Sequence, residues 1–99
     1  MEIIEYFFEC YFNMSANYIE LEDLVNEFIQ IESNKYINSF KKALTDIIDN
    51  ENWDIVIEIA SSKGGRLLKP KKAEMLVRYL KFLIDGNKPI EKPNFYFRE

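Results

Sequence analysis

The amino-terminal segment MEIIEYFFECYF constrains the fold more than any other part of the chain, because eight of its last ten residues are apolar or aromatic. A run this apolar must be covered on most sides, so other elements should pack around it. Glu2, Glu5 and Glu9 recur at spacings of three and four, which places them on one helical stripe. We therefore predict a largely buried helix, although aromatics and isoleucines also suit a strand. Cys10, a small residue inside the run, is expected in the core.

The chain length and composition predict a single domain over residues 1–99, since 47% of the 99 residues are hydrophobic and can build one core. A lone cysteine allows no intrachain disulfide. Glu2 and Glu5 stand where a signal peptide carries positive charge, and no apolar run approaches the roughly 20 residues that span a bilayer. A cytoplasmic protein with no membrane contact is expected.

Helical periodicity extends over most of the remaining chain. Three further helices are predicted from the apolar stripes Leu21, Leu24, Val25, Phe28 and Ile29; Ile37, Phe40, Leu44, Ile47 and Ile48; and Ala73, Leu76, Val77, Leu80, Phe82, Leu83 and Ile84. A fourth stripe, shorter than these, consists of Trp53, Val56, Ile57 and Ala60. Because residues 55–57 are β-branched, that segment could be either a helix or a strand.

Cap and turn residues separate these segments. Ser15 or Asn17 can cap the second helix, and Ser33 can cap the third. Gly64-Gly65 supplies a residue for the left-handed position that ends a helix, and Pro70 fits the first turn of the last one.

These signals predict an all-α domain of about five helices with short connections. Residues 86–99 form a tail with two prolines and three successive aromatics at 95–97. The aromatics are expected to pack on the helical body, because leaving them in water would expose a sticky patch.

The chemistry that the chain lacks excludes most enzyme classes. It contains no histidine, and therefore lacks the commonest general base, nucleophile activator and metal ligand. The glycines do not form a phosphate-binding loop, and the acidic residues between 46 and 58 lack the central glycine of a calcium loop. We predict no catalytic activity, no metal site and no cofactor.

Charge is distributed very unevenly along the chain. Residues 1–34 contain eight carboxylates and no basic residue, residues 35–62 carry a net charge of −2, and residues 63–99 carry +6. An uneven distribution of surface charge can arise without any functional role, but an acidic face can also recognise a basic partner.

The motif FFECYF at residues 7–12 has two aromatics, two intervening residues and then Tyr-Phe. It resembles the opening of one family of immunity proteins from bacterial contact-dependent growth inhibition systems. The order that follows, an acidic amphipathic helix, a longer helix, a Trp-bearing segment and a final helix, is also similar, over roughly residues 4 to 84. The resemblance implies a small helical protein that binds one toxin domain, often a nuclease, and keeps it inactive in the cell that makes it. That domain would be the C-terminal part of a large secreted or surface protein, bound one to one.

An acidic helical surface can fill the phosphate-binding cleft of a basic nuclease as a phosphate mimic. The carboxylates expected to do so are Glu20, Asp23 and Glu27, followed by Asp46, Asp49, Asp54 and Glu58. Aromatic anchors are expected among Tyr11, Tyr18 and Tyr36, since tyrosine combines contact area with a polar tip. Each of these tyrosines also fits the core.

An alternative hypothesis is a small nucleic-acid-binding helical domain that uses the basic C-terminal third. The basic residues concerned are Lys63, Arg66, Lys69, Lys71, Lys72, Arg78 and Lys81. Two observations oppose it. The connection from Ser62 to Lys69 is longer than a helix-turn-helix allows, and phosphates would repel the acidic third of the chain.

Overall fold

The computed structural model describes residues 2–13 and 16–90. These residues form five α-helices and no strand. The helices are α1 (Glu2–Cys10), α2 (Leu21–Ile31), α3 (Asn34–Asp49), α4 (Trp53–Ser62) and α5 (Pro70–Ile84), with one 3₁₀ turn (Tyr18–Glu20) before α2. The predicted all-α class, with about five helices and short connections, is confirmed. Two segments also suited a strand, the amino-terminal run and the stripe that begins at Trp53, and both are helical.

The helices pack around α5, which contacts α2, α3 and α4, while α1 packs against α3 and α4. Three phenylalanines from different helices meet in the core. The ring centroid of Phe40 lies 4.8 Å from that of Phe7 and 5.0 Å from that of Phe28, and all three side chains have no exposed surface. Aromatic rings in tilted and edge contacts stabilise one another beyond their buried area. The apolar amino-terminal segment is therefore tied to α2 and α3 through this cluster.

Local sequence determines where the helices begin and end. Asn17 caps the 3₁₀ turn by accepting a hydrogen bond from the amide of Ile19, and the hydroxyl of Ser33 accepts one from the amide of Tyr36 at the start of α3. Pro70 begins α5, as predicted. Gly65 has a φ of +65°, so it occupies the left-handed position after α4.

Gly64 is needed for a different reason, which is close packing. A Cβ atom at this position would lie 3.0 Å from the ring of Phe8 and 3.0 Å from the carbonyl oxygen of Ala60. The absence of a side chain lets the end of α4 approach α1 closely.

Four burial predictions are wrong, and the first concerns Ile29 of α2, which is 36% exposed although it belongs to the predicted apolar stripe. Cys10 is exposed, because it lies on the flank of α1 beside the half-buried Ile3, away from the buried face. Phe82 is 40% exposed on the outer side of α5, and Tyr79 is buried in its place. In α4, Ile59 is buried whereas Ile57 is half-buried, so the core-facing stripe is rotated relative to the prediction.

Of the predicted tail, only residues 86–90 are described, and Ile90 is fully exposed. Its aromatics at 95–97, and with them the prediction that they pack on the body, lie outside the described residues. The same is true of Ser15, one of the two predicted caps.

Candidate partner-binding surface

The carboxylates predicted on α2 form an exposed stripe opposite its buried face. Asp23 and Glu27 are exposed, and the buried residues of α2 face the core. Glu20 lies just before the helix and has a structural role as well. Its carboxylate accepts a 2.7 Å hydrogen bond from the amide of Asn17, which completes a capping box. Unlike Glu20, the other two carboxylates of this stripe, Asp23 and Glu27, take no part in the capping box.

The other four predicted carboxylates form a separate group on α3 and α4. Asp49 and Asp54 are exposed on either side of the turn that joins the two helices, and Glu58 is exposed one helical turn further along α4. Asp46 is half-buried. We treat the seven carboxylates as two acidic surfaces, the first on α2 and the turn before it and the second on α3, α4 and the turn that joins them, because they belong to separate segments of the chain.

None of these seven carboxylates forms an ion pair within residues 2–13 and 16–90. The two ion pairs found there join residues of α5 or its carboxyl-terminal cap: Glu74 with Arg78 at 2.9 Å, and Asp85, the residue after the helix, with Lys81. Like charges on one helix repel one another. The two acidic surfaces therefore carry negative charge that no direct ion pair within the described residues compensates.

Two of the three predicted tyrosine anchors are structural. The ring of Tyr11 stacks on Phe7 at 5.8 Å and meets the edge of Phe28 at 5.3 Å. Tyr18 lies against Phe12, and the guanidinium of Arg66 is near both rings. Both tyrosines are half-buried. Tyr36 is different, since 43% of its surface is exposed.

A hydrogen-bonded corner, unpredicted from the sequence, joins α1 to the end of α2. The carboxylate of Glu32 accepts a 2.8 Å hydrogen bond from the hydroxyl of Tyr6 and a 2.5 Å hydrogen bond from that of Tyr11. The hydrogen bond to Glu32 is the main cause that raises the pKa of Tyr6 to about 12. Burial, followed by the bond to Glu32, raises the pKa of Tyr11 as well. The carboxylate of Glu32 therefore gives this corner a negative electrostatic potential.

A cleft of about 560 Å³ opens beside this corner, between α1 and the first turns of α3. It is lined by Glu2, Ile3, Tyr6, Lys35, Tyr36 and Ser39. The rings of Tyr6 and Tyr36 are 5.7 Å apart and nearly perpendicular, at 81°. Tyr36 is therefore the one predicted anchor that both is exposed and lines a concave site.

The basic C-terminal third uses several of its cations internally. The guanidinium of Arg66 lies 3.8 Å from the centre of the Phe12 ring and donates hydrogen bonds to the carbonyl oxygens of Asn13 and Ala16. Arg78 and Lys81 form the ion pairs of α5. These contacts reduce the positive charge available for phosphates, so the geometry gives the nucleic-acid hypothesis no additional support.

Residues 2–13 and 16–90 contain no group of three or more His, Cys, Asp or Glu side chains placed to hold a metal ion. Among the described helices, none is both long and apolar enough to cross a membrane. Comparisons with protein-family models, curated proteins and solved structures find no match.

Proposed function

We propose that this protein is an immunity protein, a small inhibitor that binds a basic toxin domain, such as a nuclease, through an acidic helical surface. The observation that carries the proposal is the exposed stripe of α2, where Asp23 and Glu27 have no ion-pair partner among the described residues. Exposed carboxylates without partners keep their full attraction for an approaching basic protein. The motif at residues 7–12 supplies the reason for choosing a toxin as that partner.

The proposed mechanism separates association from affinity. The acidic stripe steers the basic domain toward α2, and steered association reaches about 10⁸–10⁹ M⁻¹s⁻¹ at low salt. At physiological ionic strength, salt largely screens the attraction between exposed charges that are more than about 8 Å apart. Affinity then depends on a few anchors at the centre of the interface, each contributing about 2 kcal/mol or more. Bound over the phosphate-binding cleft, the inhibitor excludes nucleic acid from it.

The first test is co-expression of the tagged protein with the product of the adjacent upstream gene. We expect a tight one-to-one complex with the basic C-terminal domain of a large secreted or surface protein, which is toxic when expressed alone. Recovery of the protein without such a partner would count against the immunity function.

Isosteric neutralisation then locates the interface on one of the two acidic surfaces. We expect D23N/E27Q to slow association with the toxin domain and to weaken its salt dependence. The matched control, D54N/E58Q, removes the same charge from α4 and should leave both unchanged. If D54N/E58Q slows association and D23N/E27Q does not, the interface lies on α3 and α4 instead. If neither double variant changes association, the acidic-surface mechanism is wrong even where the complex exists.

A further inference from the structure

The geometry points to a specific occupant for the cleft between α1 and α3: we propose that it binds an arginine side chain of the partner. This inference rests on the proposed function for the origin of the arginine, but the cleft can be tested alone. The residues that carry it are Glu2, Tyr6 and Tyr36, together with Glu32 behind the cleft.

The two tyrosine rings form the aromatic part of the site. They meet nearly at right angles, with centroids 5.7 Å apart. A guanidinium is planar and weakly hydrated, so it can stack on the face of one ring while its stem lies against the other. The cleft has a volume of about 560 Å³ and is partly open to solvent, so a side chain of a partner can enter it from outside. There is room for one arginine side chain.

The orientation of Tyr6 is fixed before anything binds. Its hydroxyl donates to Glu32, which also accepts from Tyr11, so the ring is held at both ends by α1 and by the end of α2. Binding to a side chain that is already ordered loses less conformational entropy than binding to a mobile one. Tyr36, with 43% of its surface exposed, needs only to keep its present edge contact with Tyr6.

Two carboxylates, Glu2 in the cleft and Glu32 behind it, attract a cation and must outweigh the positive ends of α1 and α3, which also begin at the cleft. Glu2 lines it, and the carboxylate of Glu32 lies at hydrogen-bond distance from the Tyr6 hydroxyl. The raised pKa of Tyr6 reports the same negative environment. Lys35 is the one cation among the lining residues, and it is exposed. Its long stem can carry the ammonium group into water, away from a bound guanidinium.

The probe for the isolated protein is N-acetyl-arginine amide, whose only charge is the guanidinium. Titration followed by the NMR signals of the tyrosine rings should shift those of Tyr6 and Tyr36 at millimolar concentration. N-acetyl-norleucine amide, which is apolar, and N-acetyl-glutamate amide, which is anionic, should shift them less. Equal shifts with the norleucine compound, or larger shifts with the glutamate compound, would overturn the proposal.

Variants distinguish the chemistry of the site. Y36L should abolish the arginine response whereas Y36F should retain it, because only the second keeps the aromatic face. E2Q should weaken the response and K35A should strengthen it. Weaker arginine binding in K35A, or an unchanged response in Y36L, would contradict a cation site. Circular dichroism of each variant confirms that its helices are intact.

The complex provides an independent measurement. If the partner's arginine occupies the cleft, Y36L should weaken the complex by about 30-fold, the size of a typical interface anchor. K35A should not weaken it. If Y36L binds the toxin domain as tightly as the unchanged protein, the cleft is not part of the interface, although the immunity function still holds. If no complex forms at all, the immunity function is refuted, but the titration with the arginine compound still tests the cleft.

Discussion

Glu32, which directly follows α2, should contribute more to stability than any carboxylate on that helix, because it accepts hydrogen bonds from Tyr6 of α1 and from Tyr11 just after α1. A hydrogen bond to an ionised group stabilises a protein by about 1.5–3 kcal/mol. Glu32, Tyr6 and Tyr11 are all half-buried, so water can partly replace each lost bond and the lower end applies. Glu32 also follows the last turn of α2, where the helix dipole disfavours a negative charge by about 0.3–1 kcal/mol. The net cost of E32A is therefore about 2 kcal/mol.

The assay is chemical unfolding at neutral pH, followed by circular dichroism. For a domain of this size, a loss of about 2 kcal/mol should also lower Tm by roughly 10 °C. The matched control is E27A, which removes an exposed carboxylate from the same helix and should change stability by no more than about 0.5 kcal/mol. A double-mutant cycle with Y11F should give a coupling energy of about 1 kcal/mol. If E32A is no more destabilising than E27A, the corner does not hold α1 to α2 and the reasoning is wrong.

Four further predictions follow from the core and the loops. Because folding raises the pKa of Tyr6 from 10.0 to about 12, the unfolded chain loses this proton at a lower pH than the folded protein. The free energy of unfolding, measured with urea at a series of pH values, should therefore fall as the pH rises from 10 to about 12, and it should fall less steeply in E32Q. F7A removes a ring with no exposed surface and should cost about 3–5 kcal/mol in urea unfolding. G64A places a Cβ 3.0 Å from its neighbours and should cost about 1–3 kcal/mol by the same assay. R66K keeps the charge but loses the planar group that stacks on an aromatic ring, so thermal unfolding should show a loss of about 1 kcal/mol.

Periodicity predicted the helices well because most of them have one buried and one exposed face. In α3, the predicted residues Phe40, Leu44 and Ile47 are all buried. The method fails where a segment is apolar all round, since every position then fits the core. Cys10 was misplaced for this reason, and Phe82 for a related one: it begins a run of three apolar residues but lies opposite the buried face of α5.

The candidate site was only partly predictable. Exposed acidic residues such as Asp23 and Glu27 follow directly from helical spacing. The bonds from Tyr6 and Tyr11 to Glu32 join residues 26 and 21 positions apart, and no local pattern encodes such a pairing. The same holds for the cleft, which exists only because α1 lies across the start of α3. Tertiary packing determines these features, so they became visible only in the structure.

The position of α1 also affects how the chain is made. Its packing partners, α3 and α4, come later in the sequence, and Arg66, which bonds to the carbonyl oxygen of Asn13, is 53 residues further along. At a synthesis rate of about 5–20 residues per second, the buried face of α1 waits several seconds outside the ribosome before it can be covered. The eight carboxylates of residues 1–34 keep the nascent segment strongly charged during that interval. Because like charges repel one another, these acidic residues oppose association between unfinished chains.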